Sequence, residues 1–273
     1  MSQLALGTDR RPVADLLARR GYQLFQPDPL GRLVPVAGSG FDPLPIPQRR
    51  RPPDDACRNT RSGPMHTIAH WTPRYIYNRS LYMLYERGHG DDPWLTPAAI
   101  RLLESLLRPA DHGAEFGSGR STLWFAERVA ALTSVEHDEQ WYEAISAKLK
   151  DRQLANVDYI LARPDQPDEL AGQSTYARTA LDFPDAGLDF ALVDGFYRDY
   201  TAKFILPKIK SGGMLIIDNV NWFLPSESRA PNSRTHALGP NGRIWTEVAG
   251  ELARWRSVWT SSGVTDTAIF IRP

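Results

Sequence analysis

From Gly113 onward, short apolar runs alternate with amphipathic stretches, and this alternation limits the fold more than any other feature of the chain. Strands are expected at Ala114–Phe116, Leu132–Glu136, Val157–Ala162, Leu188–Val193 and Met214–Ile217. Helices are expected between them at Ser121–Ala130, Glu139–Lys150, within Pro167–Tyr176, and at Tyr200–Lys210. Strands separated by helices need crossover connections, which set the strands parallel and cover both faces of the sheet. Two last segments, Trp255–Thr260 and Thr267–Ile271, are joined by Ser261-Ser262-Gly263 and read as a hairpin. The expected fold class is therefore α/β, with a seven-stranded, mostly parallel sheet ending in an antiparallel hairpin.

The residues before the sheet differ in kind. Val13–Arg20 can form a short helix, but from Pro27 to Pro64 prolines recur too often for long helices or central strands. Arg49-Arg50-Arg51 is followed by Pro52-Pro53, and a solvated charge run explains it more simply than a binding module. The organisation expected is an irregular Pro/Arg-rich arm over 1–64, a helical cap region over 65–110, and a ligand-binding domain over 111–273. In the cap region, Tyr75–Arg87 and Pro97–Arg108 read as helices, the second with Thr96 as N-cap and Ile100, Leu103, Leu106 and Leu107 on one face. Such helices pack on a sheet edge or a subunit partner, so a homodimer is within reach.

Lys plus Arg equals Asp plus Glu at 32 each, so no overall field favours nucleic acid, and none is expected as a partner. Apolar residues at 42% suit a buried core, yet no apolar run reaches the ~18 residues of a membrane span. The N-terminus lacks the pattern of a secretory signal, and Cys57, the single cysteine, has no disulfide partner in the chain. A cytoplasmic protein fits these features.

The sharpest segment is Ala114-Glu115-Phe116-Gly117-Ser118-Gly119-Arg120-Ser121-Thr122, which leaves a strand and opens a helix. Its glycines let backbone turn tightly and approach a ligand. Glu115 puts a carboxylate where a dinucleotide pyrophosphate is repelled and an amino-acid ammonium is welcome. Thr122 stands at the third-glycine position of the dinucleotide fingerprint. Glu136, 19 residues after Gly117, ends the next strand, where a carboxylate can accept both hydroxyls of a ribose. Taken singly, Glu115 can cap a helix and Glu136 can be an exposed loop acid. Together, on consecutive β-α units, they favour a nucleoside carrying an amino acid.

EFGSGRST, TSVEHDEQWYEAI, LDFALVDGFYRDY and PKIKSGGMLIIDNVNW resemble successive motifs of class I S-adenosylmethionine-dependent methyltransferases. The likeness runs from about Thr96 to Pro273 and implies a Rossmann-like sheet. It also implies that Glu115 binds the cofactor's amino group and that Gly117, Ser118 and Gly119 let its methionine portion approach. Ser121 and Thr122 would open the helix, while Glu136 holds the ribose with His137 nearby. Ala162 would flank the adenine, although Ala162-Arg163-Pro164-Asp165 departs from the polar pair the family often carries there.

Asp194 ends the fourth strand, and Asp218-Asn219 ends the fifth, 24 residues later. Parallel strand ends share one sheet edge, so these oxygen-bearing side chains should converge, and Mg²⁺ prefers such ligands. The pattern resembles the metal site of catechol-type, caffeoyl-coenzyme-A-type and antibiotic-sugar O-methyltransferases, where the cation lowers the pKa of an acceptor hydroxyl. Metal-free relatives also place an acid after the fourth strand, and Asp-Asn can simply shape a turn. The long stretch Asn221–Arg243 carries Trp222, Phe223 and His236, the last a candidate general base. With the arm and Trp71, Tyr75 and Tyr82, it is expected to roof the acceptor, a small molecule or sugar. The reading is thus methyl transfer to a hydroxyl, with Asp194 and His236 as catalytic candidates. An NAD-dependent oxidoreductase and a non-catalytic binding protein of the same fold are the alternatives.

Overall fold

The computed structural model describes residues 72–273, together with the backbone of two short strands nearer the N-terminus. Those strands, β1 (Phe25–Pro27) and β2 (Leu33–Pro35), pair antiparallel with Gln26 opposite Val34. They belong to a unit separate from that of 72–273. The expectations for Val13–Arg20, Arg49–Arg51, Cys57 and Trp71 lie outside the described residues.

The seven-stranded sheet runs β5-β4-β3-β6-β7-β9-β8. Its strands are β3 (His112–Phe116), β4 (Ala131–Glu136), β5 (Val157–Leu161), β6 (Leu188–Val193), β7 (Ile209–Asp218), β8 (Arg256–Ser261) and β9 (Asp266–Ile271). Every neighbouring pair from β5 to β7 is parallel, and β9 runs antiparallel to both β7 and β8. This is the Rossmann-like methyltransferase fold. Strand order reverses between β3 and β6, and in open parallel sheets ligands bind at the strand C-termini beside such a reversal.

Alternation along the central strands explains the two buried faces. Ala191, Val193, Leu215 and Ile217 join one core with Tyr176, Ile205 and Trp245. Phe190, Leu192, Met214 and Ile216 join the other with Ile100, Leu103 and Phe125. Strands apolar on both sides must be covered on both sides. Helices α1 (Pro73–Gly88), α2 (Pro97–Leu106), α3 (Arg120–Ala126), α4 (Glu139–Asp151), α5 (Thr175–Arg178), α6 (Arg198–Ile205) and α7 (Gly242–Leu252) provide most of that cover.

Thr96 caps α2 as expected, accepting from the amide of Ala99 at 3.4 Å. Leu106, however, is exposed, and Leu107 has already left the helix. Three other boundaries differ from the pattern reading. Helix α3 stops at Ala126, where the Arg128 amide turns back to the Phe125 carbonyl at 2.8 Å. Helix α6 begins at Arg198 and ends at Ile205, because Pro207 lacks an N–H and the chain tightens into a 3₁₀ turn over Leu206–Lys208. Lys210 thus lies in β7, which starts five residues early and bulges between the pairs Leu188/Ile209 and Phe190/Met214. The fourth crossover segment holds a 3₁₀ stretch, Asp168–Gln173, and the single turn α5. Among the described residues, no helix is long and apolar enough to cross a membrane.

Candidate functional site

The glycine loop leaves β3 at the strand reversal and packs directly on the loop that leaves β6. Gly117 has φ +95°, a conformation L side chains avoid, and a Cβ there would stand 2.6 Å from the Gly195 backbone. Two bare backbones can approach this closely, and side chains cannot. The Asp194 amide donates to the Phe116 carbonyl at 2.9 Å, closing the pair of strand ends.

Beneath this loop sits Glu115, fully buried. Its Oε2 accepts from Thr122 Oγ1 at 2.5 Å and from Ser134 Oγ at 2.6 Å. Thr122 Oγ1 in turn accepts from the Gly119 amide at 2.9 Å, so the carboxylate fixes the loop through one hydroxyl. Its other oxygen, Oε1, is buried without a hydrogen-bond partner. Burial pushes Glu115 up to about 7, against the pull of the neighbouring Ser121, Ser134 and Thr122 hydroxyls.

Glu136, at the end of β4, is almost fully buried and far better satisfied. Oε2 accepts from the Ser118 amide at 3.0 Å and its hydroxyl at 2.7 Å, and Oε1 accepts from the amides of His137 at 2.8 Å and Asp138 at 3.0 Å. Burial works to raise this carboxyl, but hydrogen bonds from His137, Asp138 and Ser118 win and hold it at about 2. Glu136 is therefore a carboxylate at any ordinary pH. Ser118 is gripped further by Tyr159, whose hydroxyl lies 2.6 Å from its Oγ, and by Trp141 Nε1, which donates to its carbonyl at 2.7 Å. The His137 ring stacks on Phe196 with centroids 5.1 Å apart. Ala162 is buried beside β4, its amide donating to the Glu136 carbonyl at 2.8 Å.

Asp194, Asp218 and Asn219 do meet at the ends of β6 and β7, but around a guanidinium. Arg198 Nη2 donates to the Asp194 carbonyl and to its Oδ1, both at 2.7 Å. Nη1 donates to the Asp218 carbonyl at 2.7 Å and to Asn219 Oδ1 at 3.1 Å, and Nε donates to the Gly195 carbonyl at 3.0 Å. The Asp218 carboxylate turns the other way, accepting from Thr267 Oγ1 at 2.7 Å. Burial and the facing Asp194 push it well above the usual carboxylate range, against the pull of Arg198. An octahedral Mg²⁺ needs oxygens at roughly 2.1 Å. Here Asp194 and Asn219 instead offer side-chain oxygens to Arg198 nitrogens and Asp218 offers its own to Thr267, so the residues as arranged do not fit a divalent cation. Among the described residues, no group of three or more His, Cys, Asp or Glu side chains is set to hold a metal.

His236 is exposed on the stretch after β7, with Nε2 3.4 Å from Glu227 Oε1, and no contact joins it to Asp194. Phe223 stacks on Trp245 at 4.8 Å and lies beneath the Arg198 guanidinium at 5.8 Å. Tyr82 is buried and close enough to Asp218 to feel its charge, whereas Tyr77 and Trp222 are exposed. A groove of about 670 Å³ opens along this edge, lined by Arg74, Asn78, Ser226, Arg229, Trp259 and Ser262. The β8–β9 tip that borders it is tied to the strand ends by Asn219 Nδ2, which donates to Thr265 Oγ1 at 2.6 Å.

Motif and spacing pointed to Glu115, Gly117, Ser118, Gly119, Ser121, Thr122, Glu136, His137, Ala162 and Asp194, and the fold brings them to neighbouring strand ends. They missed Trp141, Tyr159, Phe196 and Arg198. Arg198 had a signal, since it stands four residues after Asp194 where a helix opens, within side-chain reach of the strand end.

No family model matches the sequence, and no curated protein matches it. Among solved structures, the chain is similar to a candidate caffeoyl-CoA O-methyltransferase from Staphylococcus aureus, at 15% identity over 76% of this chain and 95% of that one, TM-score 0.46. It is also similar to a methyltransferase-like protein from Silicibacter pomeroyi, at 20% identity over 67% and 89% of the two chains, TM-score 0.45. A methyltransferase from Geobacter sulfurreducens matches at 14% identity over 73% and 90%, TM-score 0.43.

Proposed function

We propose that this chain is an S-adenosylmethionine-dependent methyltransferase acting on a hydroxyl of a small molecule or sugar. The observation that carries the reading is Glu136. It is an ionised, buried carboxylate on the strand end next to the glycine loop, at the reversal of a sheet closed by an antiparallel β9. Such a group suits two ribose hydroxyls, while Glu115 and Thr122 under the loop disfavour a pyrophosphate.

When bound, the cofactor supplies a methyl on a positive sulfur: an acceptor oxygen forms the new O–C bond, the C–S pair stays on sulfur, and the acceptor proton is released. The protein's tasks are then binding, alignment and proton removal. Glu136 holds the ribose, and Gly117, Ser118 and Gly119 line the approach of the amino-acid portion. Glu115 acts through Thr122 on the loop rather than by gripping the ammonium, which its burial favours. His137 and Phe196 offer an aromatic flank for the base, opposite Ala162. Asp194 accepts the hydrogen bond of the acceptor hydroxyl and relays its proton, a role better suited to its place than to that of His236. The groove with Arg74, Ser226, Arg229 and Trp259 mixes hydrogen-bonding groups with one aromatic face, which fits a polar, hydroxyl-rich acceptor.

The test is turnover of a methyl-labelled cofactor against panels of sugars, phenols and RNA. The reading expects label in an ether of a small hydroxylated acceptor, and Asp194→Asn should lower kcat about a hundred-fold. Label only in RNA, or only on nitrogen, would refute the acceptor class.

A further inference from the structure

We propose that Arg198 is the resident cation of the acceptor edge, standing where the sequence likeness leads one to expect a divalent metal. A guanidinium carries five N–H donors in a rigid fork. Here all five are used: one on the Gly195 carbonyl, two on Asp194, one on the Asp218 carbonyl and one on Asn219. The side chain is delivered from the first turn of α6, which Tyr197 starts in the left-handed conformation, φ +43°. It is mostly buried, and Phe223 lies against it. Its single charge pairs with the Asp194 carboxylate, and its planar geometry ties the end of β6 to the end of β7.

This arrangement has consequences for the cofactor side as well. Gly195, held by Arg198 through its carbonyl, is the residue on which Gly117 packs. Arg198 is thus a positioning residue for both loops, and a divalent cation has no role at Asp194, Asp218 and Asn219. Of the two acids, Asp194 gives the guanidinium a carboxylate oxygen and Asp218 gives it a backbone carbonyl.

The experiment reads metal and cofactor binding on the full chain without turnover, so its outcome is independent of whether the acceptor is correctly assigned. Titrating the wild-type protein with Mn²⁺ and following free Mn²⁺ by electron paramagnetic resonance should show no uptake that Asp194→Asn removes. S-adenosylhomocysteine affinity should be the same before and after chelation. Arg198→Ala should bind S-adenosylhomocysteine about ten-fold or more weakly, the loss of a charged hydrogen-bond set. Millimolar guanidinium ion should restore part of that affinity, and Mg²⁺ should not. Where Arg198→Ala does not fold, Arg198→Lys, which keeps the charge but not the fork, serves in its place. One equivalent of Mn²⁺ bound by the wild-type protein and lost in Asp194→Asn would overturn the inference. So would restoration of the Arg198 variant by Mg²⁺ but not by guanidinium.

Discussion

Glu115 and Glu136 are two buried carboxylates on adjacent strands whose surroundings drive them in opposite directions. Glu136 receives three backbone amides and a hydroxyl, whereas Glu115 has hydroxyl donors on one oxygen and nothing on the other. Burial therefore decides for Glu115, raising it from an ordinary 4.5 to about 7. A carboxyl raised on folding stabilises fully below its unfolded value, and that contribution fades as pH climbs through the folded one. The gap corresponds to about 3 kcal/mol as an order of magnitude. Between pH 5 and 8 the wild-type thermal midpoint should fall, with Asp218 adding to the slope in the same sense. Glu115→Gln should flatten that profile and be the more stable protein at pH 8. Parallel profiles for the two proteins would show that Glu115 is not protonated on folding.

Elements, more than residues, carry the close approach on which the site depends. The loops after β3 and β6 touch through Gly117 and Gly195, and Tyr176 fills the space a side chain on Gly195 would need. Gly195→Ala should cost about 1–3 kcal/mol of stability by overpacking and weaken S-adenosylhomocysteine binding in step. A denaturation curve matching wild type would mean that the loops separate easily. Much of this layer was legible beforehand. The apolar run Leu188–Val193 marked a buried strand to the residue, and Thr96 before Pro97 marked a helix start. Helix α7 is not among the expected elements, although Ile244, Trp245, Val248 and Leu252 repeat at helical spacing, because Asn241-Gly242 at its start reads as a turn and Asn241 makes no side-chain cap. The early start of β7 was hidden for a different reason. Its first residues pair across a bulge, and Gly212 at φ +78° leaves no apolar alternation to detect. The spacing of Arg198 from Asp194 is a local signal, but its contacts with Asp218 and Asn219, 20 and 21 residues away, are reported by no local pattern.

At the scale of the described residues, the sheet order places every cofactor candidate on one edge and leaves the groove proposed for the acceptor beside it, between α1, the stretch after β7 and the β8–β9 tip. The central claim is that this edge binds a nucleoside joined to an amino acid and not a dinucleotide. Calorimetry of the full chain with S-adenosylhomocysteine and with NAD tests it most directly, with Glu136→Ala as the control. The account predicts one S-adenosylhomocysteine bound per chain, no heat from NAD, and an affinity about ten-fold or more weaker in the variant, as expected for losing a charged acceptor of two hydroxyls. Binding of NAD in place of S-adenosylhomocysteine, or a folded Glu136→Ala protein with undiminished affinity, would contradict it.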